Sequence, residues 1–99
     1  MNIIDINIDR INDLCKIHKV RQLFAFGSVL TNRFKNISYI DFVVDFQVVG
    51  LYDYADNYFD FKSSLERLFN REVDLLEDKA IKNPYLRQSI DSSKHLIYG

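Results

Sequence analysis

Gly27-Ser28, Asp41 and Asp74 are the residues of this 99-residue chain whose types and spacing bear on chemistry. Gly27-Ser28 reads as a turn closing a strand-length apolar run, Arg21 to Phe26. The backbone N–H groups of such a small-residue turn at a helix N-terminus can hold a phosphate without a clashing side chain, and the Ser28 hydroxyl adds a donor. Asp41 lies on the next strand and Asp74 on a third. Carboxylates spaced by two along a strand present their oxygens to one side, where they can hold Mg²⁺ ions about 3.5–4 Å apart to clamp attacking and leaving oxygens. A phosphate cradle beside converging carboxylates is the equipment of phosphoryl or nucleotidyl transfer.

The elements that must position these residues follow from periodicity. Ile4, Ile6 and Ile8 alternate like a strand, but the helical spacing of Ile8, Ile11, Leu14 or Cys15, and His18 is longer and predicts a helix over about Asn7 to Lys19, capped by Asn7 or Asp5. A strand over Arg21 to Phe26 is followed by the turn and a first helical turn at Val29 to Arg33. In the strand Ile40 to Phe46, Asp41, Val43 and Asp45 face one way and Ile40, Phe42, Val44 and Phe46 the other. Tyr54, Tyr58, Phe61, Leu65, Leu68 and Phe69 step by threes and fours, which predicts a helix over Asp53 to Phe69. Glu72 to Leu76 reads as a third strand, with Asp74 opposite to Val73 and Leu75. Asn83-Pro84 then opens a last helix along Leu86, Ile90, Ser93 and Ile97. The expectation is an α+β fold in the order α-β-α-β-α-β-α, a small sheet flanked by helices.

Composition narrows the function classes. The apolar share of 47%, with eight Phe and six Tyr but three Gly and one Pro, is that of a packed globular chain. Thirteen Lys and Arg against fourteen Asp and Glu, with no run of either sign, argue against direct nucleic-acid or membrane binding, which need a basic stripe. The single Cys15 excludes an internal disulfide or a Cys-based zinc cluster. The longest uncharged stretch, Gln22 to Asn32, is too short to span a bilayer, and Met1 to Asp5 lacks a basic leader, so a soluble, cytoplasmic protein is expected. At this size a homo- or hetero-oligomer would add to stability.

The motifs resemble those of a minimal nucleotidyltransferase of the DNA polymerase beta superfamily: Gly-Ser, ten residues, Asp-x-Asp, and a third carboxylate on a neighbouring strand. Here Gly27-Ser28 is followed by Val29 to Ser38 and then by Tyr39-Ile40-Asp41. Phe26 to Thr31, Ile40 to Phe46, Tyr54 to Asp60 and Val73 to Leu76 all resemble the small bacterial members. The resemblance implies one nucleotidyltransferase domain over residues 1–99. It implies Gly27 and Ser28 as nucleotide-binding residues and Asp41 and Asp74 as metal-binding and catalytic carboxylates, Asp74 helping to deprotonate the attacking hydroxyl. It further implies Mg²⁺ as cofactor and a nucleoside triphosphate as substrate, with AMP from ATP as the group transferred. In the small bacterial members the acceptor is often a tyrosine of a partner HEPN-domain toxin, and the transferase is the antitoxin.

Tyr39 departs from the motif. Its phenol is neutral at pH 7 and a poor ligand for a hard cation. Asp45 lies too far along the strand to replace the missing acid, and Ser38 reaches the site only through a water and brings no charge. Two expectations therefore stand: an active transferase, or a catalytically impaired homologue that binds a nucleotide or a partner. His18 and His95 read as surface or boundary residues on helices, and Cys15 as core. Tyr52, Phe59 and Tyr98 are candidates for a partner-facing patch.

Overall fold

A computed structural model describes residues 2–35, 38–47 and 50–99; the side chains of Leu51 and Tyr52, the latter a candidate for the partner-facing patch, lie outside the described part. Its elements are α1 (Ile3–Ile6), α2 (Ile8–Ile17), β1 (Val20–Phe26), a 3₁₀ turn (Gly27–Leu30), β2 (Ile40–Phe46), α3 (Leu51–Phe69), β3 (Val73–Glu77), a second 3₁₀ turn (Asp78–Ala80), α4 (Pro84–Ser93) and β4 (His95–Tyr98). The four strands form one mixed sheet in the order β3-β2-β1-β4. β1 runs antiparallel to both β2 and β4, and β2 runs parallel to β3. The fold is α+β, as expected.

Alternation sorts the strands into two faces. Ile40, Phe42, Val44, Leu23, Ala25, Val73 and Leu75 are buried on one of them and join Ile11 and Cys15 of α2 and Phe61 and Leu65 of α3 in the main core. Phe61 lies at its centre, with the Phe46 ring edge-on at 5.9 Å and the His18 ring at 5.4 Å. The opposite face carries Asp41, Val43 and Asp45. There Val43 is fully buried, and Ile90 of α4, also buried, stands with it outside the main cluster. A register shift between Val20 and Gln22 lets Val20 enter the core while Arg21 stays exposed.

Three local expectations are corrected. The amino-terminal helix is split: α1 is capped by Asn2, whose Oδ1 accepts from Ile4 N and Asp5 N at 2.9 and 3.0 Å. Asn7 stands at the junction and makes no side-chain cap, donating instead to Ile3 O at 2.9 Å. The helical turn expected at Val29 to Arg33 is a 3₁₀ turn over Gly27–Leu30. The last helix is capped by Asn83 as expected, but it stops at Ser93; Lys94 is extended (ψ 147°), and Ile97 lies on β4, not on the helix. β4 answers the backbone donors and acceptors of β1, a demand that outweighs the helical spacing of Ile90 and Ile97.

Among the described residues, no helix is long and apolar enough to cross a membrane. Of the patch candidates, Phe59 is exposed and stands edge-on to Tyr58 at 5.1 Å. Tyr98 packs, half-buried, against the core.

Candidate active site

The sheet brings the predicted residues to one end. Antiparallel pairing sets Phe26 opposite Asp41, so Gly27 follows beside the aspartate; parallel pairing sets Asp41 opposite Asp74. Both carboxylates share the face away from the main core. Gly27 has φ +78°, a left-handed conformation that favours glycine, and a Cβ there would land on Asp41 Oδ2. The Gly27 backbone and the Asp41 carboxylate are therefore in contact. Beyond the turn, Ser28 O accepts from Thr31 N and Thr31 Oγ1, both at 2.9 Å, and Thr31 Oγ1 accepts from Arg33 N at 3.2 Å, which fixes the chain leaving Ser28.

Burial, and after it the neighbouring Asp74 carboxylate, pushes the Asp41 carboxyl above its ordinary value. The two carboxyl groups stand side by side across the parallel strands. Such a pair suits a hard divalent cation completed by phosphate oxygens and water, since Mg²⁺ is commonly bound through one or two carboxylates plus substrate phosphates. Among the described residues no three His, Cys, Asp or Glu side chains gather closely enough to hold a metal ion by themselves. The residues present fit one shared ion, to which Asp41 and Asp74 would offer two carboxylates.

Tyr39 stands one residue ahead of β2, 54% exposed, with its backbone alongside Glu72: the next residue, Ile40, pairs with Val73 and donates to Glu72 O at 3.3 Å. Glu72 acts most strongly on the phenol and, with burial and Asp74, pushes it above its ordinary value. Tyr39 thus stays a neutral phenol beside the acids. Ser38 is engaged otherwise: its Oγ accepts from Lys35 N at 3.0 Å. Asp45 sits away from the acid pair and faces Arg21 at 3.7 Å, an exposed pair of little energetic weight.

Arg71 is the residue that sequence reasoning passed over as a turn. Its Nη1 donates to Lys35 O at 3.0 Å and Ser38 O at 3.1 Å, and its guanidinium lies 4.5 Å over the Phe34 ring. From the α3–β3 connection it holds the segment that leads into Tyr39 and Asp41. Lys94, also not singled out, follows α4 and places its Nζ 4.3 Å over the Phe24 ring and 3.0 Å from Asp91 Oδ1. Phe24 pairs with Val43, so this cation is on the face of the acids. His18 closes α2 through Nδ1 to Leu14 O at 2.8 Å, and His95 is exposed on β4, not on a helix.

A family model described as polymerase beta, nucleotidyltransferase, matches residues 9–99. The chain belongs to this nucleotidyltransferase family. It is 34% identical to MJ0128 of Methanocaldococcus jannaschii, named a protein adenylyltransferase, over 92% of this chain and 96% of the relative. MJ1379 of the same organism, named likewise, is 32% identical over 82% of this chain and 78% of the relative. Among solved structures the fold is similar to that of a minimal nucleotidyltransferase, with a TM-score of 0.77 at 22% identity, covering 93% of this chain and 90% of that one. It is also similar to a chain in a toxin-antitoxin structure with AMP-PNP, with a TM-score of 0.73 at 19% identity, covering 94% and 73%. A third match is a chain in the complex of tri-AMPylated Shewanella oneidensis HEPN toxin with MNT antitoxin, with a TM-score of 0.66 at 18% identity, covering 96% and 71%. The nucleotidyltransferase fold and the family are thereby established together.

Proposed function

We propose that this chain transfers the adenylyl group of Mg²⁺-ATP to a hydroxyl acceptor, a tyrosine of a HEPN-domain toxin, and acts as that toxin's antitoxin. The observation that carries the reading is the Asp41–Asp74 pair across the parallel strands, in contact with the left-handed Gly27, in a relative of named protein adenylyltransferases. The complex of an AMPylated HEPN toxin with an MNT antitoxin, whose fold this chain shares, supports the partner class.

Gly27 and Ser28 receive the triphosphate, the glycine by letting the backbone approach and the serine through its hydroxyl. Asp41 and Asp74 hold the Mg²⁺, which when bound neutralises phosphate charge and polarises the phosphoryl oxygens. The acceptor oxygen forms a bond to the α-phosphorus as the bond to the bridging oxygen breaks, and pyrophosphate leaves in line. Asp74, exposed at the rim, accepts the hydroxyl proton. Most of the rate comes from positioning, since bound and aligned reactants replace a bimolecular encounter.

Tyr39 favours a second reading, a binding module that keeps nucleotide or partner without transfer. The discriminating experiment incubates the native chain and a Tyr39→Asp variant with α-labelled ATP, Mg²⁺ and the HEPN partner. Label on the partner from both proteins is the expected result; with one preorganised charge-stabilising group restored, the variant should be faster by about 10²–10³-fold. Label from the variant alone identifies a lapsed enzyme, and label from neither leaves the binding role.

A further inference from the structure

We propose that Tyr39 is itself an adenylyl acceptor, so that the chain modifies its own phenol at the rim of the site; this rests on the transferase reading above. Three observations lead to it. Tyr39 occupies the motif position two residues before Asp41, on the same face by strand alternation and about 7 Å along the strand, within reach of a tyrosine side chain. The residue is more than half exposed, so its hydroxyl is accessible. Glu72, one residue ahead of β3 with its backbone beside Tyr39, carries a carboxylate that acts on the phenol and can take its proton, separate from the Asp41–Asp74 pair.

The other described tyrosines lack this combination. Tyr58 spends its hydroxyl on Leu75 O at 2.5 Å, Tyr54 is half-buried under the Lys79 ammonium at 4.5 Å, and Tyr98 packs against the core. Tyr85 is the most exposed, but it opens α4, which is reached from the end of β3 away from Asp74. Tyr39 alone among them joins an accessible phenol to the acids of the site.

The step balances without a further reactant. A lone pair of Tyr39 Oη forms the new bond to the α-phosphorus of ATP. The bond from that phosphorus to the bridging oxygen breaks, and its electron pair leaves with pyrophosphate. The phenolic proton passes to the Glu72 carboxylate. The product is a phosphodiester between Tyr39 and adenosine, anchored over Asp41 and Asp74, where it excludes a second nucleotide from the same copy. Self-modification therefore limits turnover.

The test uses the full chain, alone and with its HEPN partner, with α-labelled ATP and Mg²⁺, followed by peptide mass mapping of both proteins. The expected result is a gain of one adenylyl group on the peptide carrying Tyr39, absent from Tyr39→Phe. A labelled partner beside an unlabelled chain overturns this proposal and leaves the transferase reading intact, as does self-label mapped to another residue. Label on neither protein overturns both. Mapping on the unaltered chain decides the matter even where the variant folds poorly.

Discussion

The Cα of Gly27 lies against the carboxylate of Asp41 so closely that no side chain fits between them. The contact joins the end of β1 to the start of β2, and it makes the Gly27-Ser28 turn and the Asp41 carboxylate a single unit. The left-handed conformation of Gly27 and the missing Cβ serve the same geometry: the chain reverses sharply and leaves the aspartate upright beside it.

Gly27→Ala should therefore fail twice. The left-handed conformation costs a non-glycine residue roughly 1–2 kcal/mol, and the new methyl must displace the Asp41 carboxylate. Urea unfolding should show the first loss, and calorimetric ATP titration with Mg²⁺ the second. A variant with native stability and native binding would contradict the contact.

Asp41→Asn should stabilise the fold at neutral pH. The native state holds the Asp41 proton more tightly than the unfolded chain does, so the native contribution is full below the unfolded value near 3.8 and is lost as pH rises through the higher folded value. Asparagine has no proton to lose. The variant's Tm should exceed the native one at pH 7, and the difference should close below about pH 3.8. Added Mg²⁺ should raise the native Tm and leave that of the variant unchanged, because half of the acid pair is gone.

Arg71→Ala should loosen the approach to the site. Two hydrogen bonds from a charged donor to Lys35 O and Ser38 O disappear, each of the kind worth about 1.5–3 kcal/mol. Hydrogen exchange at Lys35 and over Ser38–Asp41 should accelerate, and transfer activity should fall in kcat more than in KM. Lysine, lacking the planar fork, should restore little of either.

Cys15 is buried, and burial pushes its thiol up to about 12 from 9.0. The native thiol should resist alkylation at pH 8 and react only after unfolding. Because its folded value is the higher one, its contribution is complete below pH 9 and is lost as pH rises toward about 12. Comparison with Cys15→Ala, whose stability curve should be flatter across that window, isolates the thiol from the tyrosines.

The sequence revealed the fold wherever one face of an element is buried and the other is not. β2 was legible because its core face reads Ile40, Phe42, Val44 and Phe46 without a break, and α3 because Phe61 and Leu65 recur at helical spacing. β4 was not, because Ser93 and Ile97 continue a helical interval while the pairing that overrides it comes from β1, far away in the chain. Asp41 and Asp74 were placed by motif spacing, and the pairing of β2 with β3 brings them together. Arg71 was invisible for a different reason: its partners are carbonyls, which every residue carries, and only the folded chain selects Lys35 and Ser38.

The parallel seam between β2 and β3 has a further effect. Parallel neighbours cannot be joined by a tight hairpin, so the chain must lay down the nineteen-residue α3 before Asp74 arrives beside Asp41. Long-range closures of this type form late, after local elements have already organised. On the proposed reading, cation uptake by the refolding polypeptide would serve as a clock for completion: a chain with its helices in place but β3 undocked from β2 would be compact and still inert.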